Sequence, residues 1–363
     1  MSEEIWVLGA TGRAGMAIAQ KLAARDTIPV LVGRDAARLN SVASPLGART
    51  VVADSPAGMA RAILQERPAV VINTVGPFQS TAAVIADATL VSGHYVDIAN
   101  DISTFTQLFA RDEAARASGA TIVTGAGFGV TATESVLTRL LEQHAGAKRV
   151  RVNMIPSMAL TEGIVGEALA ASIVEGLPGI SGGGRFQGRR ITDGRLAKAT
   201  LGGLPMKLTT PDGDEVVTAV MPLGELIAAE RASHAPFIVT ASSEAPSGSL
   251  LRALLPGLLP LLHIAPLRRF VTRRLAAVKT PARPQPRQHS WGHAEVEWHD
   301  GSQREGWLKL PNASEFTTTV AAEAAVRLLA GQGRPGAYTP AALFGSSLAE
   351  ACGGEYLLAE VVR

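Results

Sequence analysis

Cysteine is almost missing from this chain: Cys352 is the only one among 363 residues. A lone thiol cannot close an internal disulfide or build a cysteine-based zinc site. Charge is also sparse, with 18% charged residues and a formal net charge of +2, which gives no case for nucleic acid as a partner. Lysine occurs only at Lys21, Lys148, Lys198, Lys207, Lys279 and Lys309, so the basic side chains are nearly all arginine. The opening "MSEEIWVLGATG" runs at once into an apolar strand and leaves no room for a signal peptide, so a cytoplasmic protein is expected.

What the chain does have is apolar content, at 47%, and a length that suggests about two domains. In the first third, apolar runs at Ile5–Ala10, Pro29–Gly33, Arg49–Ala53, Ala69–Val75, Tyr95–Ala99 and Thr121–Thr124 alternate with segments of helical periodicity. Ser55-Pro56 reads as an N-cap followed by a first-turn proline. Continuous apolar strands separated by helices predict an α/β fold, a doubly wound parallel sheet of Rossmann type covered on both faces.

The first strand ends in "GATGRAG". Gly9 allows a tight turn, Gly12 lets the backbone approach a pyrophosphate, and Gly15 lets the next helix pack on the strand. Gly9, Thr11, Gly12, Arg13, Ala14 and Gly15 are therefore the expected phosphate turn of a dinucleotide site. The second strand ends on Gly33, followed by Arg34 rather than an acid. An arginine there holds a 2′-phosphate and stacks on adenine, which favours NADP (as NADPH) over NAD, and Arg13 can supply a second positive group. Asp35 is placed either to touch the cofactor or to cap the next helix. Asp54, after the third strand, can bond the adenine amino group or serve as a turn or helix cap.

Tyr95, Tyr338 and Tyr356 are the only tyrosines, and four residues beyond them stand Ala99, Ala342 and Glu360. The Tyr-x-x-x-Lys pair of short-chain dehydrogenases is absent. Instead "NTVGPF", then "SGHYVDIAN", then "GAGFGVTATESVL" resemble the saccharopine dehydrogenase-like oxidoreductases. "TEGIVGEALAASIVEGLPG", "LGELIAAERASHAPFIV" and "EFTTTVAAEAAVRLLAGQGRPGAYTPAALFG" extend the resemblance through the chain. The nearest look is to a shorter bacterial branch that includes trans-acting enoyl reductases. Ser80-Thr81 and Ala99-Asn100 stand where that pattern commonly has Tyr-Gly and Gly-Glu.

The resemblance implies that the tip after the fourth strand, Asn73, Thr74, Val75, Gly76, Pro77 and Phe78, lies against the cofactor's ribose and nicotinamide. In open α/β sheets ligands do bind beyond the carboxyl ends of strands where strand order reverses. Asn73 can offer its amide to a ribose hydroxyl, Gly76 permits close approach, Pro77 fixes the exit, and Phe78 either buttresses the nicotinamide or packs in the core. Hydride transfer often needs a proton source within reach. Tyr95 and Asp97, on one face of the next strand, are the first candidates; otherwise Asp97 bonds loop amides and Tyr95 packs. His94 and Asn100 come after them. Thr131 and Glu134 are read mainly as caps of the following helix.

Three regions are expected: a nucleotide-binding domain over 1–125, a mixed α+β domain over 126–312 carrying substrate contacts and a homodimer interface, and a helix and tail over 313–363 returning to the first domain. Strands are expected at Arg149–Ile155, Phe237–Ala241, Ala294–Trp298 and Trp307–Leu310, and the last helix at Ser314–Ala330. Glu162, Glu167 and His234 are weak candidates for chemistry. His289, His293 and His299 lack an evident carboxylate partner, and no metal is expected. Leu250–Leu267, "LLRALLPGLLPLLHIAPL", approaches bilayer-spanning length, but three prolines, Arg252 and His263 argue against a span. It reads as a broken helical pair packed on protein, a wall for an apolar substrate, or a contact with a membrane surface or carrier. The expected activity is NADPH-dependent reduction of an apolar small molecule with an activated double bond. The alternatives are C–N chemistry of the saccharopine or opine kind, with Arg185, Arg189 and Arg231 for carboxylates, or an NADP-binding sensor without turnover.

Overall fold

Six short strands lie where the apolar runs place them: β1 (Ile5–Leu8), β2 (Val30–Gly33), β3 (Thr50–Val52), β4 (Val70–Asn73), β5 (His94–Asp97) and β6 (Thr121–Val123). They alternate with α1 (Arg13–Ala23), α2 (Ala36–Ala43), α3 (Pro56–Glu66), α4 (Phe78–Thr89), α5 (Ile102–Phe109), α6 (Asp112–Ser118) and α7 (Phe128–Leu141). This computed structural model describes residues 3–142, 144, 146–158, 163–164, 188–245, 264–280 and 284–358. Every residue of β1, β2, β4 and β6 is buried, as a sheet covered on both faces requires. β3 lies at the sheet edge and leaves Val52 exposed.

The strand order is β6-β5-β4-β1-β2-β3, all parallel, and a seventh strand, Gly336–Tyr338, adds beside β6. Order reverses between β1 and β4, where register sets Leu8 beside Asn73. Asn73 is in turn level with Asp97 of β5. Trp6, Leu8, Val30, Val32, Val71, Ile85, Tyr95 and Ile122 belong to one buried cluster. Local signals set the helix starts. Ser55 Oγ accepts from Gly58 N at 3.2 Å, with Pro56 next, and Asp101 Oδ1 accepts from Thr104 N at 2.9 Å.

Contacts divide the chain into one unit of Met1–Thr131 with Ser314–Cys352 and another of Ala132–Ala313 with Gly353–Arg363. The division falls later than residue 125 because the loop after β6 is bound to the first sheet: Gly125 N donates to Asp97 Oδ1 and Ala126 N to Asp97 O, at 2.9 and 2.7 Å. α7 starts at Phe128, whose amide donates to Thr317 Oγ1 at 3.0 Å. Thr131 and Glu134 therefore lie inside that helix, buried, rather than ahead of its first residue.

The second unit is built on a mixed sheet with the order Arg195–Lys198, Arg189–Thr192, Phe237–Ser242, Ala147–Ile155, Ser290–Trp298, Gln303–Leu310, Glu355–Leu358. The four strands expected from sequence are in it. The tail corrects the expectation that it returns to the first domain, since Glu355–Leu358 pairs antiparallel with Gln303–Leu310. The last helix, Ala313–Leu329, and the strand Gly336–Tyr338 do belong with the first unit from Ser314 onward. Among the described residues no helix is long and apolar enough to cross a membrane. Glu162, Glu167, Arg185 and residues 250–263 of the apolar run lie outside the described residues.

Candidate functional site

The turn between β1 and α1 leaves no space for a side chain on the β1 side. Gly9 has φ +78°, and a Cβ there would stand 2.7 Å from Thr74 Oγ1. At Gly15 a Cβ would meet the Gly9 carbonyl oxygen at 2.5 Å and Ala10 Cα at 2.9 Å. These are backbone atoms, so only glycine lets α1 approach the strand so closely. Gly12 N donates to Gly9 O at 2.9 Å and closes the turn. No side chain caps α1, so the first amides of the helix, on Arg13, Ala14 and Gly15, are open to an anion at its positive end. Thr11, just before the N-cap Gly12, is half-buried. An uncapped helix N-terminus behind a turn that admits no Cβ at Gly9 or Gly15 fits the pyrophosphate of a dinucleotide.

At the tip of β2, Arg34 is exposed, as is Arg13 in the turn, and neither has a carboxylate partner among the described residues. Asp35 Oδ1 accepts from Arg38 N at 3.0 Å and caps α2. Asp54, exposed after β3, accepts from Ser55 Oγ at 2.9 Å.

The tip of β4 is tied to β1 by one side chain. Thr74 donates twice to the Leu8 carbonyl, through its amide at 3.1 Å and its hydroxyl at 2.7 Å. The Gly76–Pro77 peptide is cis, and Pro77 precedes α4, which also lacks a side-chain cap. Thr81 Oγ1 donates to Val75 O at 2.6 Å and Ser80 Oγ to Pro77 O at 2.9 Å, so the first turn of α4 braces the tip. Ser80-Thr81, the departure from the resembling pattern, thus has a local structural role that the sequence reading missed. Phe78 and Val75 are half-buried and pack against the core cluster.

Beneath the tip runs a buried polar chain. Asn73 Nδ2 donates to Tyr95 Oη at 3.0 Å, and Tyr95 Oη donates to Asp97 Oδ2 at 3.0 Å. Asp97 Oδ1 accepts from Ala99 N at 3.0 Å, Thr124 Oγ1 at 3.0 Å and Gly125 N at 2.9 Å. Asn73 Oδ1 accepts from Val75 N at 2.9 Å. All three side chains have no exposed surface. Burial pushes the Asp97 carboxyl up to about 6 against the pull of its donors, which leaves it ionised at neutral pH. Burial, followed by the charge of Asp97, holds the Tyr95 phenol well above its usual range.

Tyr95 and Asp97 therefore meet on one face, and their bonds join the ends of β4, β5 and β6 to one carboxylate. Asn73, expected to reach a ribose, has its amide turned inward to Tyr95. His94 Nδ1 accepts from Thr121 N at 3.0 Å, and burial lowers its pKa, so the ring is a neutral acceptor. Asn100 is half-buried just beyond the strand. Thr124 and Gly125 had not been singled out; a small polar pair directly after a buried strand is the signal that marks them.

In the second unit two of the three histidines expected to lack one, His289 and His293, do have a carboxylate neighbour. His289 Nδ1 lies 2.8 Å from Asp212 Oδ2, and His293 Nε2 lies 3.7 Å from Glu305 Oε2. Ligand atoms of His293, Glu295 and Glu305 fall within 4.8 Å of one another. Asn153 Oδ1 accepts from Arg151 Nε at 3.1 Å and Thr218 Oγ1 at 2.8 Å, which turns its amide toward His293 Nδ1 at 2.9 Å. His293 Nε2, which has no hydrogen-bond partner among the described residues, is on the side of the ring toward Glu305. The same sheet face forms an open cavity of about 850 Å³ whose charged lining includes Arg149, Arg151, Arg190, Glu295, Glu297 and Glu305. His234 ends the helix Glu225–Ser233 in a left-handed conformation with φ +50°, and His299 is exposed.

Among solved structures, the apo form of histidine-tagged saccharopine dehydrogenase (L-Glu forming) from Saccharomyces cerevisiae matches 98% of this chain and 100% of its own, with a TM-score of 0.62 at 13% identity. A short-chain dehydrogenase from Sphingobium yanoikuyae in complex with NADPH matches 33% of this chain and 70% of its own, with a TM-score of 0.28 at 20% identity. Serine dehydrogenase from Escherichia coli matches 33% and 80%, with a TM-score of 0.27 at 15% identity. No family model matches the sequence, and no curated protein matches it. The first of these likenesses spans both units. The fold is saccharopine dehydrogenase-like: a doubly wound parallel sheet with a second unit on a mixed sheet.

Proposed function

We propose that this protein is an NADP(H)-dependent oxidoreductase of saccharopine dehydrogenase-like type. The observation that carries the reading is the uncapped N-terminus of α1 behind a turn where a Cβ on Gly15 would meet backbone at 2.5 Å, set next to the reversal of strand order. Arg34 and Arg13 stand exposed without acid partners among the described residues, while Asp35 is committed to capping α2. A phosphate on the adenine ribose suits that charge arrangement better than a free hydroxyl. NADPH supplies the hydride when bound. The chain's part is to hold the pyrophosphate on α1, to fix the β4 tip through Thr74 and Thr81, and to keep the strand ends rigid through Asn73, Tyr95 and Asp97.

For the substrate, the branch resemblance supports an apolar molecule with an activated double bond, reduced in the enoyl sense. A second reading, C–N chemistry on an amino-acid-like substrate, is favoured by the charged lining of the cavity in the second unit. Arginines and carboxylates facing one space suit a zwitterion better than an acyl chain.

The test is a titration with NADPH and NADH, followed by NADPH oxidation against a panel of enoyl thioesters and of amino-acid/keto-acid pairs. Tighter NADPH binding with turnover of an enoyl thioester is the expected result. Turnover only with the amino-acid pairs replaces the lead by the second reading. Binding without turnover makes the protein an NADP sensor, and no binding of either nucleotide sinks the proposal.

A further inference from the structure

Side chains alternate along the strand Ser290–Trp298, so His293 and Glu295 share one face, and the antiparallel register sets Glu305 directly opposite Glu295. Two like charges facing each other across a strand pair repel. Among the described residues neither glutamate has a lysine or arginine in an ion pair. Arg151, level with Glu295 on the other neighbouring strand, acts on it through space, while its nitrogens bond Asn153 Oδ1, Thr218 Oγ1 and the Leu204 carbonyl. His293 adds a second cost. Its ring has no exposed surface, Trp307 lies against it at 4.1 Å between centroids, and Nε2 has no hydrogen-bond partner among the described residues. A buried polar atom without a partner is destabilising. That nitrogen is aimed at the carboxylates: it lies 3.7 Å from Glu305 Oε2, and ligand atoms of His293, Glu295 and Glu305 fall within 4.8 Å of one another.

We propose that His293 Nε2, Glu295 and Glu305 hold a divalent cation, zinc being the ion that this donor set favours. One cation neutralises the facing carboxylates and gives the buried nitrogen its partner. A nitrogen with two carboxylate oxygens suits a borderline ion, whereas magnesium and calcium take oxygen donors. Donor atoms around a tetrahedral zinc stand about 3.4 Å apart. The His293–Glu305 pair is already near that spacing, and the Glu305 side chain, 50% exposed, is free to close the rest. Both glutamates line the open cavity of about 850 Å³, which leaves a fourth position for water or for an oxygen donor of a bound molecule. Binding at Nε2 puts the ring proton on Nδ1, so the Asn153 carboxamide must present its oxygen there. The half-turn that does this exchanges two groups of similar size. It gives up the Arg151 Nε bond to Asn153 and keeps the Arg151 bond to the Leu204 carbonyl. The site stands independently of the redox reading, because no nucleotide takes part.

The experiment is equilibrium dialysis of the whole protein, stripped with a chelator, against zinc at neutral pH without NADPH, with bound metal counted by atomic absorption. The expected result is one more zinc per chain in the parent than in the double variant Glu295→Gln/Glu305→Gln. His293→Gln should lower the affinity on the order of tenfold or more. The two glutamates line the cavity and repel each other, so the double variant should fold even where a change at the buried histidine does not. Cobalt in place of zinc should give the visible absorption of a four-coordinate site in the parent and not in the double variant. Zinc should also raise the thermal midpoint of the parent alone. Absence of bound zinc, or equal zinc on the parent and the double variant, overturns the proposal; equal binding would place the ion elsewhere, as at His289 beside Asp212.

Discussion

Tyr95 Oη donates to Asp97 Oδ2 across 3.0 Å, and neither side chain has any exposed surface. Asn73 donates to the same phenol from the neighbouring strand. Tyr95→Phe removes the bridge and leaves a buried amide hydrogen and a buried carboxylate oxygen without partners. The expected loss is about 1–3 kcal/mol of stability, read as a lower urea midpoint at an unchanged m-value. An unaltered midpoint would show that the bridge does not brace the strand ends.

Asp97 also makes stability depend on pH. Its carboxyl is raised from 3.8 to about 6, with burial as the largest cause. Between those values the folded chain keeps a proton that the unfolded chain has released. Its contribution is therefore fully present below 3.8 and is lost as pH rises through about 6, to the extent of roughly 3 kcal/mol. His94 acts in the opposite sense. Burial lowers its pKa, so its contribution is present above the ordinary imidazole range and is lost as pH falls. Urea unfolding from pH 4 to 8, compared between the parent and Asp97→Asn, cancels the His94 part. The parent's stability relative to the variant should decline with rising pH, and parallel profiles would rule the assignment out.

Gly15→Ala tests the phosphate turn. Its Cβ would stand 2.5 Å from a backbone oxygen, so either α1 or the turn must shift. Expected are a stability loss of about 1–3 kcal/mol and a nucleotide affinity at least tenfold weaker. Isothermal titration with NADPH on the folded variant separates the two effects. Retained affinity would place the nucleotide elsewhere.

Arg34→Ala tests cofactor choice. Loss of a charge-assisted contact to a phosphate costs roughly 1.5–3 kcal/mol, so the Michaelis constant for NADPH should rise by about tenfold or more while that for NADH changes little. Equal effects on both nucleotides would remove the case for NADP.

The parallel sheet was legible in the sequence because its signals are local. Apolar runs four to seven residues long set β1 to β6, and the spacing of Gly9, Gly12 and Gly15 set the turn. What escaped reading depends on residues far apart in the chain. The start of α7 is fixed by Thr317, 189 positions beyond the amide it caps, so Thr131 and Glu134 looked like caps when seen alone. His289 finds Asp212 at a separation of 77 residues. Whether Asp97 serves as a proton source or bonds loop amides is likewise not set by its neighbours in sequence; the amide partner, Gly125, and the Thr124 hydroxyl reach it from the end of β6. The terminal strand Glu355–Leu358 follows two glycines and gives no sign of which sheet it will join.

The strand Gly336–Tyr338 lies beside β6, and Thr121 Oγ1 donates to the Arg334 carbonyl from 213 residues away. During synthesis on a ribosome, β6 therefore waits with an open edge until the chain has emerged through Tyr338. Open edges recruit other strands, so a growing chain stalled in the second unit would expose a sheet edge able to pair with neighbouring nascent chains. For this chain, the first sheet is closed beside β6 only by a strand that comes after the Ala132–Ala313 segment of the second unit.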